Sequence, residues 1–377
     1  MDTMFLETRT DASPFTPISE RIRRFREASR ARSSTPPALE RGRHMMQAFF
    51  GEYAELPFWE RYARSLAYAL ENEPIYLFDD EWLVGLLYQV SRTPTARDTD
   101  LEAKWAPYSV WAQVQRRQQA EIEPYLRVGG APGHVGWRWD WILERGIEGH
   151  MEQLRQYLAD APDEKARQLY AGALVLWEAA LRWNDRHVAA LRQAAAHAQG
   201  PERDRLERLV AICERVPRHP ARNFHEAVQS FHMQHLIVMF ENPYGGNGPG
   251  RVDYFLWPYL ERDLQSGAIT CAEAKELVDE LLIRFHERLD MADGWVEAVT
   301  VGGVHPDGSS AVNPLSYMLV DSFSMMDLTH PSVYSRLDQN TPENFVDLNV
   351  HYLLRGWNRA QIYNDDACLP AIVESGI

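Results

Sequence analysis

Residues 231–260 read FHMQHLIVMFENPYGGNGPGRVDYFLWPYL. An apolar run at 236–240 enters the most glycine-dense loop of the chain, four glycines in the six residues 245–250, and leaves it through Arg251, Asp253 and an aromatic helix start. Glycine lets a backbone take positive φ and approach a ligand closely, at an entropic cost that a plain connector has no reason to bear. The loop is therefore the first candidate site. Its Gly245-x4-Gly250 spacing has the outline of a phosphate loop, but Arg251-Val252 stands where a Lys and a Ser or Thr would be needed. Pro249 also removes one N–H from such a cradle. A flexible connector between a core element and a helix is the plain alternative.

Working outward, residues 1–17 read as a disordered or loosely docked arm, with 18–377 as the folded domain. Ser19 is placed to cap a basic helix, and residues 38–73 continue as helices that end before Pro74. Residues 74–85 switch to a short strand-like run and a turn, and 86–130 are mixed. From Asp140 to Val216 apolar residues recur at spacings of three and four, with breaks near Ala161-Pro162 and Gly200-Pro201, which predicts long packed helices. A helix pair is expected at 251–265 and 271–290. Strand-like runs at 299–304, 333–337 and 360–363 alternate with helices at 314–327 and 342–355, the pattern of a parallel or mixed α/β sheet.

Hydrophobic residues make up 45% of the 377 and charged residues 25%, and the net charge is −15. The composition is that of a globular domain, and the charge argues against nucleic acid or an anionic membrane as main partner. Three scattered cysteines, Cys213, Cys271 and Cys368, form no zinc pattern and fit a reducing, cytoplasmic setting. No long apolar run suggests a signal peptide or membrane span.

Elsewhere, His232 and His235 sit three apart and could share a metal, but no third ligand has suitable spacing, so a packing pair is the reading and no metal is expected. His134, after a glycine, could be a general acid or a substrate hydrogen-bond donor, or a structural hydrogen-bonder. Arg336 ends one strand-like run and could clamp a carboxylate. Asn364 and Asp365 end another and could serve a site or cap the next turn. Cys368 has no activating neighbour in sequence and is expected as a buried thiol.

Taken in order, ISERIRRFRE, ALERGR, RSLAYALENEPIYLFDDEWLVG, GHVGWRWDWILERGIEGH, the block 212–242, GPGRVDYFLWPYLERDLQSGAITCAEAKELVDELLIR, VTVGGVHPDGSSAVNPLSYMLVDS, HPSVYSRL and IYNDDACLPAIVESGI resemble the glycyl radical enzymes of the pyruvate formate-lyase type. The resemblance is strongest to the branch with glycerol, diol and hydroxyproline dehydratases and choline lyase, and spans nearly the whole chain. It implies an α/β fold, about one half of a ten-stranded barrel of two five-stranded half-sheets, wrapped in helices. It also implies a thiyl radical on a cysteine loop and a stored radical on a glycine loop. A separate iron–sulfur, S-adenosylmethionine-dependent activating enzyme installs that radical, and no cofactor is bound directly.

Three departures qualify the resemblance. Neither a Gly-Cys-Val-Glu-like nor an Arg-Val-x-Gly-Tyr-like motif occurs, so no catalytic residue is identifiable in this chain. Glycines at 246 and 248 stand where dehydratase relatives commonly show serines, and the region 85–133 is short. The expectation is the N-terminal portion of a radical dehydratase or lyase, active when a second chain supplies both loops; the alternative is an inactive homologue or truncated product acting as a binding or scaffold protein. His134, Gly246, Asn247, Gly248, Arg251, Arg336, Asn364 and Asp365 are the expected residues facing a small-molecule substrate. The expected partners are that second chain and the activating enzyme, with a homo-oligomer allowed.

Overall fold

The computed structural model describes residues 15–34, 41–87, 136–241, 248–287, 298–328, 331–355 and 360–376. Three helices precede the strand-like run: α1 (Glu20–Ser34), α2 (Arg41–Phe50) and α3 (Phe58–Asn72). The long helical stretch resolves into α4 (Trp139–Ala159), α5 (Glu164–His197) and α6 (Gly200–Arg215), with both expected breaks in place. Asp163 caps α5 by accepting the Ala166 N–H at 2.7 Å, and its 34 residues run about 51 Å at 1.5 Å per residue. Inside α4, Gly146 takes φ 68° and kinks the helix. A Cβ there would lie 2.5 Å from the backbone of His219, and the freed amides of Ile147 and Glu148 donate to the carbonyls of Pro217 and Arg218 instead.

The central element is α7 (Phe224–Glu241), which is buried on all faces over most of its length, so the helix shows no polar stripe. Asn223 accepts the Glu226 N–H, and Glu226 reaches back to the Arg222 N–H. Phe231 is fully buried in an aromatic box with Trp139, Phe255 and Phe285, its ring 4.9, 5.1 and 6.1 Å from theirs. The His pair is packing: His232 Nε2 meets the Gly85 carbonyl at 2.9 Å, and His235 stacks on Phe231. No group of three or more metal-ligating side chains occurs among the described residues.

Residues 74–85 differ from expectation: they form no strand. Their β-like composition is satisfied by side chains rather than by a partner strand. Glu280 accepts the N–H groups of Trp82 and Leu83, and the Gln229 amide both accepts from Val84 N–H and donates to its carbonyl. Arg284, fully buried, donates to the Leu83 carbonyl and to Glu81, and also pairs with Glu287. Arg21 of α1 reaches Glu276 and Glu280, so α1 and this segment are clamped to the same face of α9 (Cys271–Glu287). At the end of the expected N-terminal arm, Phe15 is buried and Thr16 N–H donates to Asp321.

After α8 (Val252–Ser266) and α9, the chain alternates as expected: β1 (Ala298–Gly302), α10 (Pro314–Met326), β2 (Ser332–Leu337), α11 (Glu343–Leu354), β3 (Ala360–Asn364) and α12 (Asp365–Glu374). The strands form one parallel sheet in the order β1-β2-β3, with Val299 opposite Val333 and Arg336 opposite Tyr363. Parallel neighbours need a crossover, which α10 and α11 supply. The architecture is mostly helical with a small parallel sheet. No described helix is long and apolar enough to cross a membrane.

Candidate functional site at the carboxyl edge of the sheet

In a parallel sheet every strand ends at the same edge, and the following helices begin there, so loops and helix N-termini gather at one face. The end of the glycine loop runs alongside the amino end of β1 and leads the chain toward that edge. Gly250 pairs with β1 as a parallel bridge, donating to the Ala298 carbonyl and accepting the Thr300 N–H. Gly248 lies so close that a Cβ would be 2.9 Å from the Ala298 carbonyl oxygen. The absent side chain therefore serves packing against β1.

Arg251 follows, at the start of α8. Its guanidinium sits 4.9 Å over the Tyr254 ring, and its Nε is 3.9 Å from Asp253 Oδ1, beyond hydrogen-bond range. Nε and Nη2 are closed off from solvent, with no hydrogen-bond acceptor among the described residues. Burial first, then the neighbouring Arg336, holds the Arg251 pKa below its ordinary value, against the opposing pull of Asp253. Asp253 is fully buried and spends one oxygen on the Gly302 N–H (2.7 Å) and the Ser316 hydroxyl (2.6 Å), tying the end of β1 to the first turn of α10. Burial raises its pKa, although Arg251 and these hydrogen bonds pull it down.

Arg336, near the end of β2, donates from Nε and Nη2 to the two oxygens of Asp365 at 2.9 and 2.8 Å. The carboxylate it clamps is thus its own chain's. The pair lies over Gly303, where a Cβ would be 3.0 Å from the guanidinium carbon and 3.1 Å from Asp365 Oδ2. Gly302 and Gly303 take φ of 73° and 84°, conformations open to glycine. Asn364 caps α12 by accepting the Asp366 N–H.

The structure thus brings Arg251, Arg336, Asn364 and Asp365 to the carboxyl edge of the sheet, whereas Gly248 lies at the amino end of β1, against Ala298. His134, Gly246 and Asn247 lie outside the described residues. Reading by residue type left out Asp253 and the Gly302-Gly303 pair; a double glycine closing a buried strand was the available signal. Cys368 is half-exposed on α12 rather than buried, because that helix has little packed against it, whereas Cys213 is buried and its thiol pKa is pushed far up by desolvation. A separate cleft of about 730 Å³, lined by Asp140, Tyr254, Trp257, Arg262 and His305 among others, flanks α8.

Residues 122–377 fit the family described as pyruvate formate lyase-like, and the chain belongs to that family. Among curated relatives, it is 30% identical over 263 residues to the isethionate sulfite-lyase of Desulfovibrio desulfuricans, covering 64% of this chain and 32% of that one. It is 26% identical over 247 residues to the trans-4-hydroxy-L-proline dehydratase of Clostridioides difficile, covering 62% and 31%. Among solved structures, the glycyl radical enzyme of Archaeoglobus fulgidus superposes with a TM-score of 0.83 at 21% identity, and the glycerol dehydratase of Clostridium butyricum with 0.79 at 22%. These superpositions cover 95% and 96% of this chain and 53% of each neighbour, so the fold is that of part of a glycyl radical enzyme barrel. The chain spans about a third of the two curated relatives and about half of the two solved ones.

Proposed function

We propose that this chain is the substrate-side portion of a glycyl radical enzyme of the dehydratase or lyase type, cleaving a C–O, C–N or C–C bond in a small polar substrate. The observation that carries the reading is the superposition of nearly the whole chain on about half of radical dehydratase chains. The relatives' names point to the same chemistry: sulfite-lyase, hydroxyproline dehydratase and glycerol dehydratase. On this reading Arg251, Arg336, Asn364 and Asp365 at the carboxyl edge of the sheet form one wall of the pocket, and His134, Gly246, Asn247 and Gly248 belong to it. The reactive cysteine and the radical glycine are supplied from outside these 377 residues, in which neither family motif occurs. A separate activating enzyme generates the radical. The setting is anaerobic and cytoplasmic.

The reading is tested by anaerobic co-expression with a polypeptide bearing both motifs and an activating enzyme, followed by electron paramagnetic resonance. A glycyl doublet with turnover of a hydroxylated substrate is expected; a complex without a doublet rules out radical catalysis. One observation favours the second reading, a binding or scaffold protein without catalysis: Arg336 directs its Nε and Nη2 to Asp365 of its own chain.

A further inference from the structure

We propose that the cleft bounded by α6, α7 and α9 binds a zwitterion with an apolar stem, the chemical class of the apolar α-amino acids. The proposal is independent of the radical-enzyme reading, since no residue of this cleft belongs to the pocket wall named above.

The cleft encloses about 470 Å³, enough for a small organic molecule. Its apolar lining comes from four parts of the chain: Trp82 from the 74–85 segment, Ile212 from α6, Ile269 from the turn after α8 and Leu277 from α9. Trp82 is held at both ends of its backbone, its N–H donating to Glu280 at 2.9 Å and its carbonyl accepting from His225 Nε2 at 2.7 Å. Arg21 also stacks on the indole, its guanidinium carbon 3.9 Å from the ring centroid. The apolar wall is therefore in place before a ligand arrives, which spares the cost of ordering it.

The charged lining divides into groups already used and groups left open. Glu226 receives the Arg222 N–H on one oxygen and Arg222 Nη2 on the other, and Asp263 accepts the Phe224 N–H at 2.6 Å. Arg208, by contrast, has no hydrogen bond or ion pair among the described residues. Glu273 receives the Thr270 N–H and hydroxyl at 2.9 and 2.7 Å, both on Oε2, which leaves Oε1 open. These bonds hold its pKa below the ordinary value, with Arg208 adding to them against burial, so Glu273 is a carboxylate. His225 donates from Nε2, because a carbonyl can only accept. Burial holds the pKa of His225 low, with Arg208 pushing the same way, so the ring is neutral and its Nδ1 is an acceptor.

Open groups of both signs select the ligand. A lone carboxylate would meet Arg208 but also the like charge of Glu273, and a lone amine would meet the two acceptors but also the charge of Arg208. A molecule with a carboxylate and an ammonium on one carbon answers both. The guanidinium pairs with the carboxylate, and the ammonium N–H groups suit Glu273 Oε1 and His225 Nδ1. The apolar side chain then lies against Trp82, Ile212 and Leu277 and displaces water from them. Such a ligand bridges α6 to α9, the helix whose Glu280 holds the N–H groups of Trp82 and Leu83. Binding therefore stabilises the docking of the 74–85 segment.

The test titrates the whole chain by calorimetry with L-leucine and L-phenylalanine as probes. The comparators are isocaproate, which lacks the ammonium, leucinamide, which lacks the carboxylate, and glycine, which lacks the stem. At least one of the two amino acids is expected to bind with a Kd below about 1 mM, and each comparator at least tenfold more weakly. Arg208→Gln should weaken amino-acid binding at least tenfold and leave leucinamide unchanged. Glu273→Gln, which keeps the helix cap, should weaken it likewise and leave isocaproate unchanged. Ala211→Trp, at an exposed position lining the cleft, should abolish binding of all the probes without lowering the melting temperature. In the wild type, amide exchange at Trp82 and Leu83 should slow at least threefold when the amino acid binds. Four results overturn the proposal: no heat from either amino acid at on the order of 10 mM; isocaproate binding as tightly as leucine, which makes the cleft a carboxylate site; binding that survives both Arg208→Gln and Ala211→Trp, which places it elsewhere; or unchanged exchange at Trp82 and Leu83. The radical doublet is read separately, so each proposal fails on its own measurement.

Discussion

Arg336 and Asp365 face each other across two parallel hydrogen bonds of 2.9 and 2.8 Å, laid over the backbone of Gly303. One residue is the last but one of β2 and the other begins α12, so the contact ties the start of α12 to the sheet, beside the ladder that joins β2 to β3. Asp365 is almost fully buried while Arg336 keeps about a quarter of its side chain in water, which places the pair between the surface and interior cases.

Removing one partner should therefore cost about 2–3 kcal/mol, less than the 3–5 kcal/mol of a fully buried pair. Asp365→Asn and Arg336→Met are each expected to lower the unfolding free energy by that amount, as read from urea denaturation. The double variant should lose less than the sum of the two, as measured by a double-mutant cycle. Gly303→Ala should destabilise comparably, because the new methyl meets the guanidinium at a positive φ.

Two buried groups give opposite pH dependences in nearly the same window. Burial raises the Glu81 pKa from an ordinary 4.5 to about 7, even against the pull of Arg284, so between those values the folded state holds the extra proton and stability falls as pH rises. Burial lowers the His187 pKa from 6.5 to about 4, so between those values the unfolded state holds the extra proton and stability rises with pH. Each titration is worth about 3 kcal/mol. The two contributions nearly cancel from about pH 4.5 to 6.5. Glu81→Gln should unmask a rise with pH and His187→Gln a fall, by chemical denaturation across that range.

In the aromatic box, Phe231→Ala should cost about 3–5 kcal/mol, since it opens a cavity among Trp139, Phe255 and Phe285 that rigid helices cannot close. Leu354→Ser, at a position left in water, should change the stability of the isolated chain by less than about 0.5 kcal/mol. Thermal melts of the two variants check the contrast.

Glu280 accepts from Trp82, Leu83 and Arg21, so Glu280→Ala takes the acceptor from the buried Leu83 N–H and the part-buried Trp82 N–H, while Arg21 keeps Glu276 and the Asp80 carbonyl. The expected loss is about 3 kcal/mol or more, by the scale of charged hydrogen bonds. Limited proteolysis should then cut within residues 74–87 before any other described segment.

The alternation of strands and helices after residue 298 was legible because each element buries a distinct apolar face, and α4 to α6 because Pro and Gly punctuate a helical period. Residues 74–85 were not, since apolar and aromatic composition says that a segment is docked but not whether backbone or side chains hold it. At the site, residue type marked Arg336 as a clamp but could not show that Asp365, 29 positions later, already fills it. The unfilled donors of Arg251 likewise depend on where Asp253 turns its carboxylate, which is a property of the fold and not of the local sequence.

The docking of residues 80–85 also sets an order of events during synthesis. Their partners Gln229 and Glu280 lie 145 and 198 positions downstream, and those of α1 lie about as far or farther. At a translation rate of roughly 5–20 residues per second, the first seventy residues leave the ribosome on the order of ten to forty seconds before α9 exists to receive them. Helix α1, the first element to be made, therefore waits for α9 to be synthesised, whereas α3 meets α5 well before that.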